Sequence, residues 1–320
     1  MIRVPAFTCL QWGIFLVGGC LFFELNYRYW YMFMEQYSIF LYAGEYFRDL
    51  SVQPGGMSQY LSAFVMQCFH LPFAAPVCVT LLLGLMTSAM LFIVRRSSLA
   101  SSPYARLLCF VPAFLFFVYP VESVAPVTAA VLGLSATAAY SCIGNRWIRA
   151  AAGFAFVTIL YPLAAPAHFV AAAGMLAYEC IPACGAKAEF GLRRILLALA
   201  IVAWAALLPL LAMRTVYVAP MREIFIGKHL FHPEYPLPAS FWYIALSFPA
   251  VWTALVIMSR KRAAAPAKSS KQRLITLAVM AVAALLAIIY GGHPLEQAYM
   301  YDSLAREGRW EAIAAHASTH

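Results

Sequence analysis

Charge is what this sequence has least of: 11% of its residues are Asp, Glu, Lys or Arg, against ~25% in a soluble domain. With 64% hydrophobic residues beside that shortage, an ordinary soluble fold is excluded. Acids are scarcer still, 13 against 22 basic residues. No Walker-type loop and no glycine-rich dinucleotide fingerprint occurs, and no soluble catalytic domain interrupts the apolar runs, which removes the common nucleotide-dependent enzymes. Ionisable residues are rare inside the apolar runs, and no row of acids or histidines crosses them. Nor is one half of the chain a repeat of the other, so a transporter ranks behind the readings below.

What the sequence does have is nine apolar segments, near 6–23, 73–94, 107–119, 127–143, 150–161, 168–184, 195–213, 241–258 and 274–290. The expected fold is therefore all-α: a polytopic transmembrane helix bundle of about nine spans occupying residues 1–290. A crossing of ~30 Å needs ~20 residues, so the third and fifth segments are short; they either run on through Pro120 and Pro162 or stop part-way. The first segment follows Arg3 as a signal peptide would, but Leu21-Phe22-Phe23 carries the apolar run past Cys20, favouring an uncleaved anchor.

The charges between the segments sort by sign. Counting from a cytoplasmic N-terminus, alternate loops hold 15 of the 22 basic residues and only one acid, Glu189, while the other set holds 7 basic residues and 11 acids. Lys and Arg stay cytoplasmic, so this pattern predicts a multi-pass protein of the inner (cytoplasmic) membrane with its C-terminus outside. The net charge of +9 reads as a topology signal, not as a nucleic-acid patch. The eight cysteines lie almost all in apolar runs, as small buried hydrophobes do. Cys180 and Cys184 are one helical turn apart, with no second pair to complete a metal site. Glu179, inside a span near its cytoplasmic end, is placed to reach water or Lys187, and His168 marks the outside end of the same span.

Three outside stretches are long enough for structure: 24–72, 214–240 and 291–320. In the first, Tyr27, Tyr29, Trp30 and Tyr31 suit an interfacial aromatic belt. Residues 33–49 approximate an amphipathic surface helix, Pro54-Gly55-Gly56 breaks it, and a helix over 57–70 resumes and leads into the second span. This arrangement, with Glu24 closing the first span, Glu35-Gln36 in the loop and Pro54-Gly55-Gly56 followed by Tyr60, resembles the GT-C class of membrane glycosyltransferases. The constellation Glu35-Gln36…Pro54-Gly55-Gly56-Met57-Ser58-Gln59-Tyr60 also resembles an uncharacterised family of bacterial polytopic membrane proteins, over more of the chain but without an activity.

The GT-C resemblance implies a polyprenyl-phosphate-linked sugar as donor and a carboxylate as general base on an acceptor hydroxyl. Glu35, set among Trp30, Tyr31, Phe33 and Phe40, is the first candidate base and Glu24 the second. The sequence departs from the class in lacking its acidic pair: Leu25 follows Glu24 and Gln36 follows Glu35. Arg214, Arg222 and Lys228, rare outside cations, would neutralise the donor phosphate. His229, His232 and Glu234 have ligand chemistry, but Pro233 opposes one regular helix through them, and neither a metal nor another cofactor is expected.

The stretch 259–273 reads as a basic polar linker on the cytoplasmic side, with a lipid contact as its sharper alternative. The tail 291–320 resembles the opening helices of a tetratricopeptide-like array. Such arrays need about three repeats, so the tail reads as the start of a truncated one or as a juxtamembrane hairpin. Besides the enzyme, the sequence leaves open a non-enzymatic envelope scaffold that recruits a protein partner through this tail.

Overall fold

The computed structural model describes residues 6–38, 40–100, 102–118, 124–181, 192–217, 220–227 and 239–262, with single positions between 298 and 311. The described residues form helices and turns, with no strand. The expected ninth span at 274–290 and the linker beyond Arg262 lie outside them.

Helix α1 (Ala6–Tyr37) runs for 32 residues without a break, about 48 Å at 1.5 Å per residue. The sequence suggested a stop near residue 23 and a separate helix over 33–49. No Pro or Gly lies between residues 20 and 37 to end it, and three of the four rings expected at the interface pack inward instead, Tyr29 staying half-exposed. Tyr27, Trp30 and Tyr31 are buried. Phe23 stacks on Phe117 at 4.8 Å between centroids, and Tyr31 meets Phe69 edge-on at 5.6 Å; aromatic pairs of this kind are worth about 0.5–1.5 kcal/mol each. The chain turns only after Tyr37, where the Gln67 side chain donates to the Ser38 carbonyl at 2.8 Å.

A short α2 (Gly44–Ser51) and then α3 (Gly56–Met66) follow. The break at Pro54-Gly55-Gly56 falls where the sequence placed it. Gly55 takes φ 76°, and its N–H donates to the Pro162 carbonyl at 3.1 Å. A Cβ there would sit 2.8 Å from the Ala165 oxygen, so glycine serves both the left-handed turn and the close approach.

Helix α4 (Ala74–Arg95) leads to two short helices, α5 (Pro103–Leu108) and α6 (Val111–Val118). The third expected span is thus interrupted at Cys109-Phe110. Its two helices, of 6 and 8 residues, together rise about 21 Å, short of the ~30 Å apolar layer. Then come α7 (Ala125–Cys142), α8 (Arg146–Ala164), α9 (Ala167–Cys180), α10 (Leu192–Thr215), α11 (Met221–Ile226) and α12 (Ala239–Arg262). Helix α8 runs through Pro162, which lengthens the fifth expected span to 19 residues; Asn145 starts it by accepting the Trp147 N–H at 2.9 Å. Four described helices, α4, α7, α8 and α10, are long and apolar enough to cross a membrane.

Helices α7 and α9 pack at the centre, with α4, α8, α10 and α12 around them and α1 against α4. Between apolar helices in lipid, association rests on close packing more than on the hydrophobic effect, and small residues permit it. A Cβ on Gly133 would lie 2.6 Å from the Ala167 carbonyl, and one on Gly174 2.8 Å from the Thr137 hydroxyl. Thr137 uses that closeness, donating between the carbonyls of Gly133 at 3.0 Å and Ala171 at 3.2 Å.

The connections gather at two ends. One end carries α2, α3, the α8–α9 turn and α11, tied by Gly55 to Pro162 and by the Tyr161 hydroxyl to the Ile224 carbonyl. The opposite end carries Arg95, Arg96, Arg146, Arg149, Arg193, Arg194 and Arg260, with Arg96 reaching Cys142 at 3.6 Å.

Candidate functional site

Glu24 faces a shallow cleft where α1 passes the turn between α3 and α4, lined by Arg28, Met32, Phe69, His70 and Phe73. The spacing of 24, 28 and 32 puts the α1 contributors on one helix face. Arg28 pairs with Glu24 at 3.5 Å; the Glu24 side chain is 11% exposed and that of Arg28 49%. His70 bonds the Gln67 carbonyl through Nδ1 at 2.8 Å. A carbonyl only accepts, so Nδ1 is the donor in this bond. Phe73 closes the turn at φ 62°, an uncommon conformation for a bulky side chain. The cleft thus assembles a carboxylate, a guanidinium and an imidazole, with room for about one water as it stands.

Glu35 is half-buried in the last turn of the same helix, eleven residues or about 16 Å from Glu24. The two acids share a helix face but not a site. Arg214 is exposed at the end of α10, which packs on α8, α9 and α11 while α1 packs on α4. Arg222 belongs to α11. Lys228, together with His229, His232 and Glu234, lies outside the described residues. The expected joining of the first outside acids to these cations is therefore not seen among the described residues.

An aromatic platform lies at the same end. Phe40 is ringed by Tyr42, Tyr46, Tyr60 and Phe64 at 5.0–5.5 Å between centroids. Burial, then Tyr60, raises the Tyr46 phenol above its ordinary value. Deeper at this end, His168 is fully buried between Tyr161 and Phe169. Neither of its nitrogens meets hydrogen-bond geometry, although the Ala205 backbone lies close.

The strongest charge constellation is at the opposite end and centres on Glu179 of α9. Its side chain is 2% exposed and takes Arg149 Nε at 2.8 Å and Arg194 Nε at 2.7 Å. The Tyr140 hydroxyl donates to Oε1 at 3.1 Å, and Arg149 Nη2 reaches Oε2 at 3.4 Å. Arg149 also donates to the Ile143 carbonyl at 3.1 Å and lies over the rings of Tyr140 and Tyr178 at 5.7 and 5.9 Å. Donors from α7, α8 and α10 thus converge on one carboxylate, as a buried charge requires. The sequence reading noted Glu179 but looked to water or Lys187; Lys187 lies outside the described residues, and the partners are arginines from neighbouring helices. A basic residue next to a span reads as a topology signal, so nothing local in the sequence marks Arg149 and Arg194 as partners.

Long apolar helices packed through small residues, with their ionic groups drawn to the helix ends, define an α-helical membrane protein of the multi-pass type. The chain belongs to the family of unknown function DUF6057, which matches it over residues 3–320. That agrees with the resemblance to an uncharacterised family. No curated protein and no solved structure matches the chain, and the GT-C resemblance has no support from these comparisons.

Proposed function

We propose that this multi-pass membrane protein acts on a lipid-linked anionic substrate at the end carrying α2 and α3, transferring a sugar from a polyprenyl-phosphate carrier to a hydroxyl acceptor. The observation that carries this reading is the Glu24–Arg28 pair facing one cleft with His70. A phosphate competes well for a half-exposed guanidinium, because its oxygens match the Arg fork. Taking Arg28 away from Glu24 leaves the carboxylate beside the substrate, where it accepts the acceptor hydroxyl's proton as that oxygen attacks the sugar's anomeric carbon. The bond from that carbon to the phosphate oxygen breaks, and the lipid phosphate leaves with its charge held by Arg28. The ion pair would thus keep the base occupied until donor arrives. A sugar needs more than the space of one water, so the 67–73 turn has to open.

The narrowness of the cleft favours a second reading, a non-enzymatic envelope scaffold. Purified protein in liposomes, given a polyprenyl-phosphate sugar and a hydroxyl acceptor, separates the two. Under the transfer reading Glu24→Gln lowers turnover about 100-fold or more with thermal stability kept, while Glu35→Gln leaves most of it. Turnover unchanged in Glu24→Gln removes that residue from the mechanism, and no transfer by the wild type across donor sugars leaves the scaffold.

A further inference from the structure

At the opposite end, two arginines share one carboxylate. Glu179 carries one negative charge against the two positive charges of Arg149 and Arg194, and no other acid forms an ion pair there among the described residues. Among the described residues this leaves one unit of positive charge, and Arg149 is 8% exposed, a largely dry setting in which an unbalanced ion is costly.

The outer edge of Arg194 is open to a compensating anion. Arg194 meets Glu179 side-on through Nε. Its two Nη groups make no hydrogen bond among the described residues, and its side chain is 35% exposed. The Nη edge of a guanidinium is the part that grips two phosphate oxygens at once. Arg193 stands exposed beside it. From there an apolar stripe runs along α10: Leu192, Leu196 and Leu199 are 68%, 54% and 45% exposed and recur at helical spacing on one side. Leu196 is one turn along from Arg193. Trp147, 62% exposed at the start of α8 and covered by the Arg146 guanidinium at 5.5 Å, suits the level of lipid headgroups.

We propose that Arg194 and Arg193, backed by the Arg149–Glu179 pair, form a phosphate-binding notch whose ligand is the headgroup of an anionic phospholipid, with an acyl chain along the Leu192–Leu196–Leu199 stripe. Glu179 holds both guanidiniums in place, and the lipid phosphate takes the surplus charge. The stripe points to a lipid phosphate over a free one.

The test uses the full chain in phosphatidylcholine nanodiscs with increasing phosphatidylglycerol, read by lipid retention in native mass spectrometry and by thermal unfolding. Wild type is expected to retain phosphatidylglycerol about tenfold better than phosphatidylcholine, with Arg194→Gln losing that preference. Arg194→Lys falls between, because it keeps the charge and loses the fork. Arg48→Gln on α2, at the other end, keeps the full preference. If Arg194→Gln fails to fold, Arg193→Gln carries the test through an exposed side chain and should weaken the preference. An equal preference in wild type and the Arg194 and Arg193 variants overturns the site. A wild type with no preference for phosphatidylglycerol that is stabilised by millimolar inorganic phosphate, an effect lost in Arg194→Gln, overturns the lipid and leaves a free-phosphate notch.

Discussion

Arg194 on α10 donates through Nε to Glu179 on α9 at 2.7 Å, so the carboxylate that closes one helix fixes the start of the next. The same carboxylate holds Arg149 of α8. Three consecutive described helices are therefore pinned by one buried acid.

Glu179→Gln should be among the most damaging single changes at that end. It leaves two guanidiniums facing each other without their anion, a loss of about 3 kcal/mol. Adding Arg149→Met removes one stranded charge and should recover part of the loss. Denaturant unfolding of the two single variants and the double variant measures this, and strict additivity would contradict the coupling.

Glycine substitutions should divide by what surrounds them. Gly133→Ala drives a methyl against the Ala167 carbonyl, which is backbone and cannot swing away; a loss of about 1–3 kcal/mol is expected. Gly13→Ala meets nothing within 4 Å and should be neutral or stabilising by up to about 1 kcal/mol through helix propensity. Thermal unfolding of the two variants side by side is sufficient.

Phe73 sits in the left-handed region at φ 62°, at a cost of about 1–2 kcal/mol for an L-residue with a side chain. Phe73→Gly should raise the unfolding temperature. Because the Phe73 ring lines the Glu24 cleft, the same variant should weaken donor binding, measurable as a raised KM for the lipid-linked sugar.

The aromatic platform should loosen in alkali. The Tyr46 phenol is raised above its ordinary 10.0 by burial and by Tyr60, so its neutral form is favoured in the folded protein. That contribution is present below pH 10 and is lost as the pH rises through the raised value. Ultraviolet titration should show Tyr46 ionising after the exposed tyrosines, and Tyr46→Phe should take one phenol out of the late-ionising group.

Much of the helical framework was legible in the sequence, because apolar runs of spanning length have few other uses. The break at Pro54-Gly55-Gly56 was legible too, since only glycine takes the φ of Gly55 against Ala165. The continuation of α1 to Tyr37 was not. Its aromatic residues read equally well as a belt in the headgroups and as rings packed on Phe117 and Phe69, and only tertiary contact decides between them. Glu179 stood out as a rare acid within a span. Its partners did not, because Arg149 and Arg194 lie 30 and 15 residues away and look like any loop arginine. Of the candidate site, the sequence offered Glu24 only as the second base after Glu35, and His70 entered only once the α3–α4 turn folded against α1.

A helix bundle that spans a membrane must hold its α2–α3 end and its arginine end on opposite sides. Two native cysteines test it, because Cys68 is exposed beside the α3–α4 turn and Cys142 is exposed at the arginine end. Each is kept as the sole cysteine, and sealed cells are treated with a membrane-impermeant maleimide before and after permeabilisation. Cys68 is expected to react in sealed cells while Cys142 reacts only after permeabilisation. Labelling of both in sealed cells, or of Cys142 first, would contradict it.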